Sequence, residues 1–172
     1  MAWEWFINNW LGILSLIVAS IIAIVTVVTQ RFHQKRHQIN GLLDAFRILN
    51  TRTHRSSRKK VYELYREYKQ NNDLRIFDNI EEVEDVRADF DVIGLLVKSR
   101  NINEEQFLIE FGPLAYRCWN YLQKHIEAER KKRDFKPFMR NFQWLSDKAD
   151  KYWAKKGHDL SKTLLYPQEN KE

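Results

Sequence analysis

Residues 10–29 read WLGILSLIVASIIAIVTVVT, twenty positions without a charge, and the uncharged run extends from Trp5 to Gln30. At about 1.5 Å of rise per residue, a helix of this length matches the roughly 30 Å hydrocarbon core of a bilayer. The stretch predicts one transmembrane helix over residues 10–30. Its C-terminal flank carries Arg31, Lys35 and Arg36, whereas the N-terminal flank holds only Glu4 and the chain's amino group. Basic residues are retained on the cytoplasmic side, so the expectation is a single-pass protein of the cytoplasmic (inner) membrane. Its N-terminus lies outside and its C-terminal domain in the cytoplasm. Residues 1–9 then form an outer tail in which Trp3, Trp5 and Phe6, with Trp10, anchor at the interface. A cleaved signal peptide fits less well, because its shorter apolar region is preceded by charge and followed by a small-residue cleavage site.

One flank of this helix differs from the rest. At about 100° per residue, Asn8, Gly12, Ser15, Ala19, Ala23, Thr26, Gln30, His33 and His37 share one face, all of them small or polar. Trp10, Ile13, Ile17, Ile21, Ile24 and Val28 occupy the opposite face and suit lipid. Small residues let helix backbones approach in a bilayer, and Ser or Thr hydroxyls can bond between helices. Three readings stay open: a helix-pairing face, a ring of identical helices lining a narrow lumen with the histidines at its mouth, and a lone anchor. The first two predict a homo-oligomer.

The 172 residues include 30% charged residues but only five Gly and three Pro, which favours an all-α fold with few turns. The expected organisation is a basic juxtamembrane stalk over 31–57, a bundle of four to five helices over 58–157 and a C-terminal tail over 158–172. A single cysteine, Cys118, rules out an internal disulfide and a cysteine-based zinc cluster. The net charge of +6 is unevenly distributed: +8 over residues 31–75, −7 over 78–111 and +6 from 112 onward. Basic residues beside a membrane are drawn to anionic headgroups, and the acidic middle argues against one continuous nucleic-acid surface. Direct nucleic-acid binding is left open, and the bilayer is the first expected partner.

Helical spacing continues beyond the membrane. Ile39, Leu42, Leu43, Phe46 and Leu49 extend the first helix as a stalk, with Asn40–Gly41 a possible interruption. Asn50–Ser57 reads as a corner, with Ser56 or Ser57 capping a helix that carries Val61, Leu64, Tyr65 and Tyr68 on one side. Val83, Val86, Phe90, Ile93 and Val97 form the most regular stripe, and the carboxylates around them read as a solvated face rather than a metal site. Asn103 caps a helix lined by Phe107, Phe111, Leu114, Cys118, Leu122 and Ile126, which Pro113 is expected to kink or split. The basic run Arg130–Arg133 suits that helix's C-terminus. The last helix is expected to start near Pro137, bury Phe138, Phe142, Leu145 and Ala149, and stop at Gly157. Leu164, Leu165 and Tyr166 form a short apolar knot in the tail.

Phosphate-binding glycine loops, two-histidine zinc helices and serine elbows are absent from the sequence, so a non-enzymatic role without cofactor or metal is expected. Cys118 lies on an apolar stripe and reads as a packed thiol. HEPN-type helical RNases use an Arg and a His with four to six residues between them. Arg31 and His37, and Arg47 and His54, fall in that window, at a frequency that composition alone explains. Arg117 and His125 lie on the long helix where such a site would be built, but with seven residues between them.

These features resemble two groups. The arginine-rich start of the second helix, Arg55, Arg58 and Val61–Leu64, is similar to that of a prokaryotic family of single-pass proteins with a helical cytoplasmic domain. The architecture as a whole, from outer tail to basic collar and helical domain, resembles the membrane accessory protein of type VI-B CRISPR systems. That resemblance implies a divergent HEPN-like domain, assembly into a membrane pore and strengthened RNA-guided antiphage defence. It also implies an RNA–protein effector as cytoplasmic partner. The alternatives are a tethered scaffold or regulator docking a cytoplasmic protein, and a HEPN-type RNase using Arg117 and His125.

Overall fold

Helix α1 runs from Ala2 to Asn50 without a break, through both the apolar stretch and the residues that follow it. The computed structural model describes residues 2–164, with side chains described at 3, 9, 10 and 12–162. The expected roles of the Trp5, Phe6 and Asn8 side chains, and of those of the Leu164, Leu165 and Tyr166 knot, therefore lie outside what is described. No strand occurs among those described. The helices after α1 are α2 (Arg52–Asn71), α3 (Glu81–Lys98), α4 (Glu104–Lys132) and α5 (Arg140–Lys155), with short 3₁₀ helices at Leu74–Phe77 and Leu160–Leu164. The expected all-α fold is the observed one.

The chain divides into two compact units, one ending at His37 and the other beginning at Gln38. In the first unit every described side chain from Gly12 to His37 is exposed. This helix is long and apolar enough to cross a membrane. Three of its hydroxyls donate along its own backbone: Ser15 to the Gly12 carbonyl, Ser20 to Leu16 and Thr26 to Ile22, each at 2.8 Å.

The second unit is a helical bundle whose stripes follow the three-four spacing. Val83, Val86, Phe90 and Ile93 of α3 are fully enclosed, as are Phe107, Cys118, Leu122 and Ile126 of α4 and Phe142, Leu145 and Ala149 of α5. Each such aliphatic or aromatic side chain contributes about 1.5–3 kcal/mol by leaving water. Helix α5 packs on both α3 and α4, and α2 packs on α3 and on α4. Phe90 stacks on Phe142 with ring centres 5.0 Å apart, and Trp119 meets Phe142 edge-on.

The structure corrects several expected boundaries. The corner after α1 is a single residue: Thr51 caps α2 by accepting from the His54 amide at 3.1 Å, and Ser57 is buried inside α2 instead of starting it. Asn40–Gly41 does not interrupt α1. Gly41 meets the turn after α3 so closely that a Cβ there would stand 2.5 Å from the Asn101 carbonyl oxygen. Close approach, not chain reversal, is what this glycine provides. Of the apolar residues expected to line the stalk, Leu49 is buried and Leu42 half-buried, while Ile39, Leu43 and Phe46 stay exposed. Helix α4 continues through Pro113. Helix α5 starts at Arg140, not Pro137, because Met139 adopts a left-handed conformation that ends the preceding turn. The cap comes from another helix, since Asp91 Oδ1 of α3 accepts from the Asn141 and Phe142 amides at 2.9 and 3.0 Å. Gly157, expected as a stop, takes the left-handed conformation just past the end of α5.

Candidate functional site

The candidate face of the first unit rests on helical phase. Because α1 is unbroken, Gly12, Ser15, Ala19, Ala23, Thr26, Gln30, His33 and His37 lie along one side of it. A Cβ added at Gly12 would meet nothing within 4 Å. The Ser15 and Thr26 protons are committed to carbonyls of their own helix, which leaves oxygen lone pairs and a small profile to offer a neighbouring helix. His33 is exposed and edge-on to Phe32, and Arg31, Lys35 and Arg36 are exposed without ion pairs among the described residues.

In the second unit, the two residues that echo a HEPN site are not brought together. Arg117 and His125 stand on α4 eight residues apart, about 12 Å along the axis. His125 pairs instead with Arg87 of α3, whose Nη1 donates to His125 Nε2 at 3.0 Å. Arginine has only donors, so Nε2 must be the bare acceptor and the proton sits on Nδ1, 3.7 Å from Asp78. Arg87 is 1% exposed; it also pairs with Glu84 and lies against the Phe138 ring. Burial, then the positive charge of Arg87, hold the His125 pKa below its ordinary value. A buried, neutral histidine facing a guanidinium is a packing element of the α3–α4 contact.

A second buried histidine clasps α3 from the other side. His54 of α2 has its Nδ1 2.7 Å from Asp89 Oδ2 and its ring edge-on to Phe90, while its Nε2 is sealed from water without a partner. Burial and Arg58 lower its pKa, opposed by Asp89. Asp85 accepts from Ser57 at 3.5 Å. Thus Asp85, Asp89 and Asp91, expected on a solvated face, reach across to α2 and α5. No group of three or more His, Cys, Asp or Glu placed to hold a metal occurs among the described residues. An open cleft of about 410 Å³ lies between the first turns of α2 and α3, lined by Arg52, Thr53 and Ser56 on one side and Glu81, Glu82 and Asp85 on the other.

Helices α2 and α4 meet along a tyrosine seam. Tyr62 contacts Cys118 at 3.8 Å, Tyr65 stacks on Tyr121 with centres 4.2 Å apart, and Lys124 donates to Tyr68 at 3.2 Å. Each step advances three residues on both helices. Burial pushes the Cys118 thiol up to about 11, so it is a packed thiol and not a nucleophile at neutral pH. Burial also raises Tyr62, reinforced by Cys118. Arg58 and Arg117 flank this pair, both half-buried. Arg58 Nη1 donates to the Leu49 carbonyl at 2.7 Å, whereas Arg117 Nε is shielded from water and has no hydrogen-bond partner.

Sequence reasoning missed the buried roles of Arg87 and His54, the cap from Asp91 and the pairing of tyrosines along this seam. A signal existed for two of them: Arg87 falls among Val83, Phe90 and Val97, and His54 falls in step with Val61, Leu64 and Tyr68, so each is a polar residue on an inward stripe.

Residues 13–149 match a protein family described as a domain of unknown function, DUF4760. No curated protein and no solved structure matches the chain.

Proposed function

The chain belongs to the DUF4760 family, and we propose that it is a non-enzymatic, single-pass protein of the cytoplasmic membrane that self-assembles through α1. One observation carries the reading: from Gly12 to His37 every described side chain of an apolar helix is exposed, with its small and polar residues gathered on one face. An exposed apolar surface of that length calls for lipid, and a small-residue face within it calls for close helix contact. The matched region begins at Ile13 and runs into α5, so it takes in the apolar helix together with the bundle. Arg31, Lys35 and Arg36 orient the second unit toward the cytoplasm. Within that unit Arg87 and His125 serve each other, which favours a binding or assembly role over RNA cleavage.

In its fuller form, in line with the type VI-B resemblance, the assembled helices perturb the membrane during antiphage defence, and a cytoplasmic RNA–protein effector acts on the second unit. A tethered scaffold is the second reading. It is favoured by the exposed Ile39, Leu43 and Phe46, an apolar face suited to a protein partner.

Mass measurement by light scattering on detergent-solubilised protein, with ion leak from loaded vesicles, separates these. A defined oligomer that leaks ions is expected for the membrane-perturbing form, and an oligomer without leak for the scaffold. A strict monomer in several detergents would remove self-assembly. Ser15→Leu or Ala19→Leu should lower the oligomer mass while Ile17→Leu leaves it unchanged; equal behaviour would sink the small-residue face as the contact.

A further inference from the structure

We propose that Arg58 and Arg117 form a binding site for a phosphate group on the α2–α4 seam, beside the contact of Tyr62 with Cys118. The two guanidiniums are carried to one place by the seam's register. Arg58 lies one turn before Tyr62 on α2, Arg117 adjoins Cys118 on α4, and Tyr62 and Cys118 touch at 3.8 Å. No carboxylate pairs with either arginine among the described residues, although eight other ion pairs or close charge contacts of the bundle do use Asp or Glu.

The unmet valence is specific. A buried donor without a partner costs about 1–3 kcal/mol, so native proteins rarely leave one unless something else supplies the acceptor. Among the described residues two buried donors are in that condition, Arg87 Nε and Arg117 Nε, beside the bare acceptor His54 Nε2, whose ring donates from Nδ1 to Asp89. His54 and Arg87 are closed in by the core, whereas Arg117 is half-buried: its Nε is sealed from water, but its two Nη atoms are neither sealed nor hydrogen-bonded among the described residues, so the outer edge of the fork is the part that a phosphate oxygen can meet. Arg58 spends one nitrogen on the Leu49 carbonyl, which fixes its direction and leaves the rest of its fork available. Two turns further along the same seam, Lys124 at Tyr68 and Lys69 over the Tyr65 ring add positive charge. Two arginines with no acid paired to either among the described residues favour a doubly charged phosphate over a single carboxylate, with the lysines adding field from about 10 Å or more along the helices, and planar arginine forks fit phosphate oxygens two at a time. The same chemistry is offered by a small soluble phosphate or by a phosphatidate headgroup.

The test uses the full chain in phosphatidylcholine nanodiscs and reads hydrogen exchange of α2 and α4. Inorganic phosphate, titrated against chloride at constant ionic strength, should protect the peptides spanning 58–69 and 114–124. Nanodiscs containing phosphatidic acid, without added phosphate, form the second arm. Protection in the first arm identifies a soluble ligand, and protection only in the second identifies the headgroup; both support the site. Arg117→Gln should shift half-protection to about tenfold or more higher phosphate, the loss of one charge-assisted bond pair, with exchange in chloride unchanged. Arg117→Lys, which keeps the charge and loses the fork, should fall between and stands in if the Gln variant does not fold. Absence of protection in both arms, equal protection in Arg117→Gln, or a response to an RNA oligonucleotide alone would overturn the proposal.

Discussion

Asp91→Ala removes the remote cap of α5, and its cost can be worked from the contacts. Asp91 Oδ1 accepts from the amides of Asn141 and Phe142 at 2.9 and 3.0 Å, and Oδ2 from the Asn141 side chain at 3.2 Å. Each bond is worth about 1 kcal/mol net, and the helix-start amides have no intrahelical acceptor to fall back on. The Ala variant should therefore lose about 3 kcal/mol. Asp91→Asn keeps a neutral acceptor and should lose about 1 kcal/mol. For a chain of this size the larger loss corresponds to a drop of roughly 6–12 °C in melting midpoint. Urea denaturation of the full chain in detergent, followed by circular dichroism, measures the stability. Hydrogen exchange over residues 140–145 then asks whether the loss starts at α5. If Asp91→Ala stays within about 0.5 kcal/mol of the wild type, the ordinary scatter of surface changes, the trans-cap contributes nothing and the account of this helix start is wrong.

Other outcomes follow from the same contacts. Burial depresses the pKa of His54 and His125, so between the folded and the unfolded values the unfolded chain binds more protons. Stability is therefore fully present above an ordinary histidine pKa of about 6.5 and falls as pH drops below it toward the lower folded values, by about 1.4 kcal/mol for each unit of separation. Denaturation midpoints from pH 7.5 to 4.5 measure this, and His125→Gln, which can still accept from Arg87, should flatten part of the slope; an unchanged slope would refute a neutral His125. Gly94→Ala would place a Cβ 2.7 Å from the Asn141 carbonyl carbon and nearer still to its oxygen. Backbone must move, so a loss of about 2 kcal/mol or more is expected in the same denaturation assay, whereas Gly12→Ala, with open space around it, should leave bundle stability unchanged. Cys118, with its thiol pushed up to about 11, should resist alkylation at pH 8 in the folded chain and react once urea unfolds it.

The sequence by itself determined what depends on local pattern. An uncharged run of twenty-six residues admits few structures besides a long helix, and stripes such as Val83, Val86, Phe90, Ile93 and Val97 declare which side of each helix leaves water. The caps at Asn103 and the stop at Gly157 were legible because cap and helix are neighbours in the chain. What tertiary structure alone decided is how polar residues on those stripes are partnered. Arg87 was matched to His125 and not Arg117 to His125, Asp89 to His54, and Asp91 to Asn141, fifty residues later in the chain. Helical phase says that two side chains share a face, but pairing across the bundle depends on which helices become neighbours and in what register, and that is settled by the summed packing of the core. The start of α5 and the bareness of Arg117 are products of that packing, in which donors and acceptors far apart in the chain are forced to find one another or go without.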